Sequence, residues 1–279
     1  MMRNEIRQNG RRLNLNKLLA FSIALVCCYP LHAQDARTLV RQTVNVEIAK
    51  DRADRSRWIY FEVDKKSGNT IEQWVAQTSR GDVNRVIKKN SKPIPLAQQQ
   101  QAVQSFIHNA DAQAQQGQND KKDAQQAESL LKMLPDAFLW SVKEKNDITT
   151  TFHFKPNPDF SPPSRQARVF AAMEGDMTVN NQQHRIMQLK GVMIRDVNFG
   201  WGLLGSLKKG GSFEVGRKQT SPGIWQIYET HVHIQGRALL FKTISQQEDD
   251  YKSSFTRLPG DITLQQAAQE VMKKPNGPE

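Results

Sequence analysis

From Phe138 onward the chain presents one short β-prone segment after another, and this succession restricts the fold more than any other feature. Segments near 148–155, 168–179, 184–197, 212–219, 224–234 and 238–246 favour strands. Asn180-Asn181, Lys209-Gly210-Gly211 and Pro222-Gly223 separate them as turns. Such short connections join antiparallel strands, because a parallel pair needs a crossover of a dozen residues or more. The stretch 157–163 is a loop, since Pro158, Pro162 and Pro163 cannot donate to a ladder. Gly191 sits where the apolar phase of its segment changes, which predicts a bulge.

Helical patterns precede, interrupt and follow this meander. Ala36, Val40, Val44 and Ile48 recur at fourfold spacing, so 36–50 reads as an amphipathic helix. Arg57–Val63 and Thr70–Thr78 read as a hairpin around the turn 65–69. A Gln- and Ala-rich insertion at about 96–134 reads as two helices broken by a mobile tip at Gly117–Asp120, with disorder as the alternative. Thr263 and Gln266 form a capping box ahead of Leu264, Ala268 and Val271, and residues 275–279 read as a frayed tail. The expected fold class is α+β: a curved, half-barrel-like antiparallel sheet with an N-terminal helix, a helical insertion and a C-terminal helix. The helices are expected to cover one face. Residues 34–274 are expected to form one domain.

The first 33 residues read as a signal peptide. Arg3, Arg7, Arg11, Arg12 and Lys17 precede an apolar run from Leu18 to Cys28, and Ala33 closes a small-residue site. The run is too short for a membrane span, which needs roughly 20 apolar residues. Val26 and Cys27 are poor neighbours for a lipidated cysteine, and Asn14 and Asn16 break the twin-arginine pattern. The expected location is therefore the periplasm or cell envelope, with release to the outside as the alternative. Cys27 and Cys28 both lie in this segment, so the mature domain has no disulfide, thiolate ligand or cysteine nucleophile. The net charge of +11 includes that of the signal. The remainder suits anionic surfaces, including a peripheral membrane contact, better than nucleic acid, for which no basic stripe interleaved with aromatics is present.

Chemistry-bearing constellations are few. Glu229, His231 and His233 share one strand face, and histidines two apart can ligate a metal. If Gln235-Gly236 is a two-residue turn, however, Glu229 faces Lys242 and His231 faces Leu240, leaving a solvated polar face and no metal site. The segment Asn198–Gly205 carries three glycines with Phe199, Trp201 and Leu204, and reads as a hairpin tucked under the sheet or as an apolar lip. Trp58, Tyr60, Trp74 and Trp225 lie on strands, where aromatic residues are usually core. No Gly-x-Ser-x-Gly, His-Glu-x-x-His or phosphate loop occurs, and no cofactor is implied.

The run Phe154–Ser164 leading into Met173–Val179, then Asp196–Gly205, Trp225 and Gly236–Lys242, resembles a family of uncharacterised secreted bacterial proteins over roughly 130–270. In layout the chain also resembles the half-barrel lipoprotein-carrier family. That resemblance implies a curved sheet whose concave side holds acyl chains; it carries no shared motif. The expected function is thus non-catalytic binding of a lipid, acyl chain or lipoprotein, each buried CH₂ contributing about 0.8 kcal/mol. Trp58, Tyr60, Trp74, Phe199, Trp201, Leu204 and Trp225 are the candidate ligand contacts, with the helical insertion as a lid. The alternatives are a module or sensor that docks another envelope protein, and a hydrolase using a polar cleft.

Overall fold

The computed structural model describes residues 31–66, 68–164, 166–199, 205–238 and 246–278. The expected signal segment lies outside them up to residue 30. Helix α1 (Leu31–Ala53) buries Ala36, Val40, Val44 and Glu47 along one side, and Lys50 and Arg52 complement its C-terminal dipole. Strands β1 (Arg57–Lys66) and β2 (Asn69–Ala76) form the expected hairpin. Strands β3 (Val83–Lys89) and β4 (Lys92–Pro93) follow. Asn90 and Ser91, at φ 51° and 62°, make the two-residue turn between them in the form that matches strand twist.

The insertion is ordered, but its break falls elsewhere than expected. Helix α2 (Leu96–Ile107) ends at His108, and α3 (Ala110–Ala137) then runs unbroken through Gly117–Asp120. Asn109 caps α3 by accepting from the Ala112 amide at 2.9 Å. Gln113 ties the joint by donating to the carbonyls of Phe106 and Ile107. Gly117 has open space where a Cβ would stand, so it only weakens the helix, by about 1 kcal/mol relative to alanine. Glycine alone does not end a helix that is capped and docked on both sides of it.

Strands β5 (Phe138–Lys145) and β6 (Thr149–Pro156) come next. Residues 168–172, expected as strand, belong to a 3-10 helix, Gln166–Ala172, whose Ala167, Phe170 and Ala172 are core. Strands β7 (Met173–Asn180), β8 (Arg185–Met193), β9 (Val197–Phe199) and β10 (Gly205–Leu207) follow. After them come β11 (Ser212–Ser221), β12 (Ile224–Ile234), β13 (Gly236–Ala238) and β14 (Gln246–Leu258). Helix α4 (Leu264–Lys273) starts at the expected capping box. Gly191 is not a bulge. It pairs with Gly175 in register, and the rings of Phe154 and Phe213 lie where Cβ atoms would otherwise stand. The tail is partly held: Trp74 Nε1 donates to the Pro275 carbonyl at 2.8 Å and Arg85 donates to Asn276.

All ladders are antiparallel. One sheet has the order β4-β3-β2-β1-β14-β12-β11-β8-β7-β6-β5 and does not close into a barrel, and β13-β10-β9 form a second, small sheet. Directly opposed residues share a face, so a row can be followed from strand to strand. Asp64, Asp250, Thr230, Val215, Leu189, Met177 and Phe152 lie on one face. On that face α1 and the end of α3 cover β5–β8, burying Trp140, Phe152, Phe154 and Met177. Helices α2 and α4 cover β1–β3 on the opposite face, burying Phe61, Trp74, Val83 and Ile87. The expectation of one helix-covered face is therefore corrected: each end of the sheet is covered, but on opposite sides.

Candidate functional site: a charged cleft beside β1

This staggered covering leaves β1, β14 and β12 without a helix on the α1 face, and two adjoining clefts open there. The larger, about 670 Å³, lies between the β2–β3 turn and the first half of α3, and its walls include Arg57, Gln77, Ser79, Asp82 and Asp120. The second, about 360 Å³, runs from the end of α1 across β11, β12 and β14 and includes Asp51, Tyr60, Arg217, Trp225 and Lys252. Arg57 and Gln77 line both.

The turn that forms one wall is closely specified. Thr78 Oγ1 donates to the Gly81 carbonyl at 2.7 Å and accepts from the Arg80 amide at 3.0 Å. Gly81 has φ 126°, and a Cβ there would meet Gln116 Oε1. Gln116 accepts from the Asp82 amide and donates to the Asp82 carbonyl, while Arg80 donates to Gln113 at 3.0 Å. The Gln-rich face of α3 thereby replaces a neighbouring strand as hydrogen-bond partner for the turn.

At the α1 end the charges are paired. Buried Glu47 takes Arg185 Nε and Nη2 at 2.8 and 2.9 Å, accepts from the Ile186 amide and pairs with Arg217. Asp51 meets Arg185 at 3.1 Å and Arg217 at 3.0 Å. Burial raises the Asp51 carboxyl to about 6 despite Arg185 beside it, and burial lowers Arg217 to about 10. On β14, Lys252 bonds Asp250 at 2.7 Å and approaches Glu62 at 3.5 Å.

Arg57, Asp82 and Asp120 in the larger cleft lack such partners among the described residues. Asp82 is raised to about 6 by burial and by the nearby Asp120 and Glu62, and Arg57 and Lys252 only partly oppose this. Arg57 keeps a buried Nε without a hydrogen-bond partner among the described residues. A cation and a carboxylate thus face one space without meeting.

The aromatic residues singled out in the sequence lie elsewhere. Trp58, Tyr60, Trp74 and Trp225 are at most 7% exposed. Each indole N–H is satisfied: Trp58 by Ser56 Oγ, Trp74 by Pro275 and Trp225 by Gln183. Trp58 and Tyr60 pack on Phe255 on one face of the sheet, whereas Trp74 packs on Phe61 on the other. They do not line one concavity, although Tyr60 and Trp225 border the second cleft. Phe199 belongs to β9, and Trp201 and Leu204 lie outside the described residues.

His231 and His233 also have other neighbours than expected. The expected return strand after Gln235-Gly236, with Leu240 and Lys242, lies mostly outside the described residues. Residues 236–238 join the small sheet, and β14 pairs with β12, placing Asp249 opposite His231 and Tyr251 opposite Glu229. One oxygen, Asp249 Oδ1, takes His231 Nδ1 at 2.7 Å and His233 Nε2 at 2.9 Å. The bond to Asp249 raises the His231 pKa. Their face is the one that α2 and α4 cover at the β1–β3 end and leave open farther along the meander, and on it His153, Asp176, Lys190, Glu214, His231, Asp249 and Lys65 alternate basic and acidic side chains across seven strands. No cluster of metal-ligating side chains occurs among the described residues.

The cleft was not legible in the sequence, because its residues come from α1, three hairpins and α3. A local signal did exist in Thr78-Ser-Arg-Gly-Asp82, a polar turn longer than a hairpin needs. The fold and cleft define a class: an α+β protein with an open antiparallel sheet and a charged cleft beside its first strand. No protein family, curated protein or solved structure matches the chain. No helix among the described residues is long and apolar enough to cross a membrane.

Proposed function

We propose that this is a non-catalytic binding protein of the cell envelope that holds a small polar ligand in the cleft shared by Arg57 and Asp82. The observation that carries the reading is the pair of unmatched opposite charges lining a cleft of about 670 Å³. That volume lies in the usual range for small-molecule sites, roughly 300–1,000 Å³. Desolvated groups without partners gain most when a complementary ligand arrives. An acyl chain has little to gain beside Asp82 and Arg57, and Trp58, Tyr60, Trp74 and Trp225, which would receive it, are buried.

Native mass spectrometry of protein purified from the envelope without detergent tests the proposal. The expected result is a stoichiometric polar adduct that Asp82→Asn releases. A fatty acid or phospholipid in its place restores the lipid-carrier reading. A bare mass, with no uptake of fluorescent fatty acid, points to a module that docks another protein. A carboxyl held near 6 in a cleft also suits a general acid. The recovered molecule is therefore returned to fresh protein, and its cleavage there overturns the non-catalytic assignment in favour of a hydrolase.

A further inference from the structure

The ligand chemistry can be narrowed further, an inference that rests on the polar-ligand reading above. Three features of the larger cleft bear on it. Arg57 lines the cleft and its guanidinium forms no ion pair among the described residues, so a ligand anion is free to meet it through its terminal nitrogens. Asp82 and Asp120 lie on the same walls, on the β2–β3 turn and on α3, and the lining's other cation, Arg80, turns to Gln113 Oε1 at 3.0 Å and forms no ion pair with either. Lys252 is likewise engaged, by Asp250 and Glu62. Arg57 and Asp82 do not pair with each other, so an occupant satisfying both must carry two opposite charges held apart.

The surfaces between these poles are amide, hydroxyl and small methyl groups. Gln77 Oε1 is already used by the Trp58 amide at 3.2 Å, which leaves its amide nitrogen for a carbonyl acceptor. Ser79 adds a hydroxyl, and Ala110 and Ala114 give α3 a low relief that admits small side chains. Alternating carbonyl and N–H groups with small substituents, ending in an ammonium and a carboxylate, match that lining. We propose that the cleft binds a short peptide with both termini free, its carboxylate at Arg57 and its ammonium between Asp82 and Asp120.

Calorimetric titration of the full chain with trialanine, N-acetyl-trialanine and trialanine amide tests this. Blocking either terminus of trialanine weakens binding to the wild-type protein by about tenfold or more, as expected for loss of a charged hydrogen bond. In Arg57→Gln the penalty for the amide disappears while that for the acetyl form remains. In Asp82→Asn, and more weakly in Asp120→Asn, the pattern reverses. Asp120 is exposed on α3, so that variant keeps the test open if Asp82→Asn fails to fold. Circular dichroism confirms folding of each variant. Equal affinity for blocked and free peptides, or no heat with trialanine from folded protein, overturns the peptide assignment. If the native mass spectrum then still carries a polar adduct, the peptide assignment falls alone. An acyl adduct, or none, takes the polar-ligand reading with it.

Discussion

One row of side chains crosses the sheet on the α1 face, and its two ends differ in kind. At the β6–β8 end it reads Phe152, Met177, Leu189, and α1 lies over it. At the β1 end it reads Asp64, Asp250, Thr230, with no helix above. The same backbone geometry is thus stabilised in two ways, by burial of apolar area at one end and by paired and solvated charge at the other. Where the cover stops, the sheet becomes a cleft wall. The difference shows that a large sheet need not be sided as a whole: each stretch takes its polarity from whatever packs on it.

The contrast can be broken first at the seam between the two regions. Glu47→Ala leaves Arg185 and Arg217 with only the half-exposed Asp51 between them and is expected to cost about 3–5 kcal/mol in urea unfolding, as removal of one partner from a buried ion cluster does. Within the row itself, Phe152→Ala is expected to cost about 3–5 kcal/mol through the cavity it leaves. Thr230→Ala, on the same row at the uncovered end, stays within about 0.5 kcal/mol. Equal losses for these two would remove the distinction between the regions.

The pH response sharpens the comparison at the charged end. Folded Asp82 keeps its proton up to about pH 6, above the value of 3.8 for an unburied aspartate. Between those pH values the native state binds more protons than the unfolded one, so this group's contribution to stability falls as pH rises. Burial, Asp120 and Glu62 set the direction against Arg57 and Lys252. Thermal melts from pH 4 to 8 should show Asp82→Asn gaining on the wild type across that window and staying ahead at pH 7. A constant difference between the two curves would show that Asp82 titrates normally. In α3, Gly117→Ala should raise stability by up to about 1 kcal/mol, read in the same thermal melts.

Features encoded over a few neighbouring residues were readable in advance: the fourfold pattern of α1, the first hairpin and the Thr263 capping box. The break in the insertion was misplaced because Gly117 is a stronger local signal than Asn109, yet contacts of Gln113 and Gln116 with distant backbone decide the outcome. Strand β14 went unread for a related reason. Gln246–Leu258 has no apolar alternation, since one of its sides belongs to the charged row and the other to the rim of the cleft. The half-barrel expectation keeps its large antiparallel sheet, but Trp58, Tyr60, Trp74 and Trp225 are buried on two different faces of it. Arg57 and Asp82, 25 positions apart, are brought together by a hairpin and a helix, and neither has a sequence signature of its own.

The position of β14 also governs the order of events during synthesis. It lies between β1 and β12, so the strands made first cannot join the meander until residues 246–258 have been made. Until then two partial sheets expose the edges of β1 and β12 to any other chain nearby. Contacts this distant along the chain form slowly. A nascent chain of this kind stays unfinished for nearly the whole of its translation.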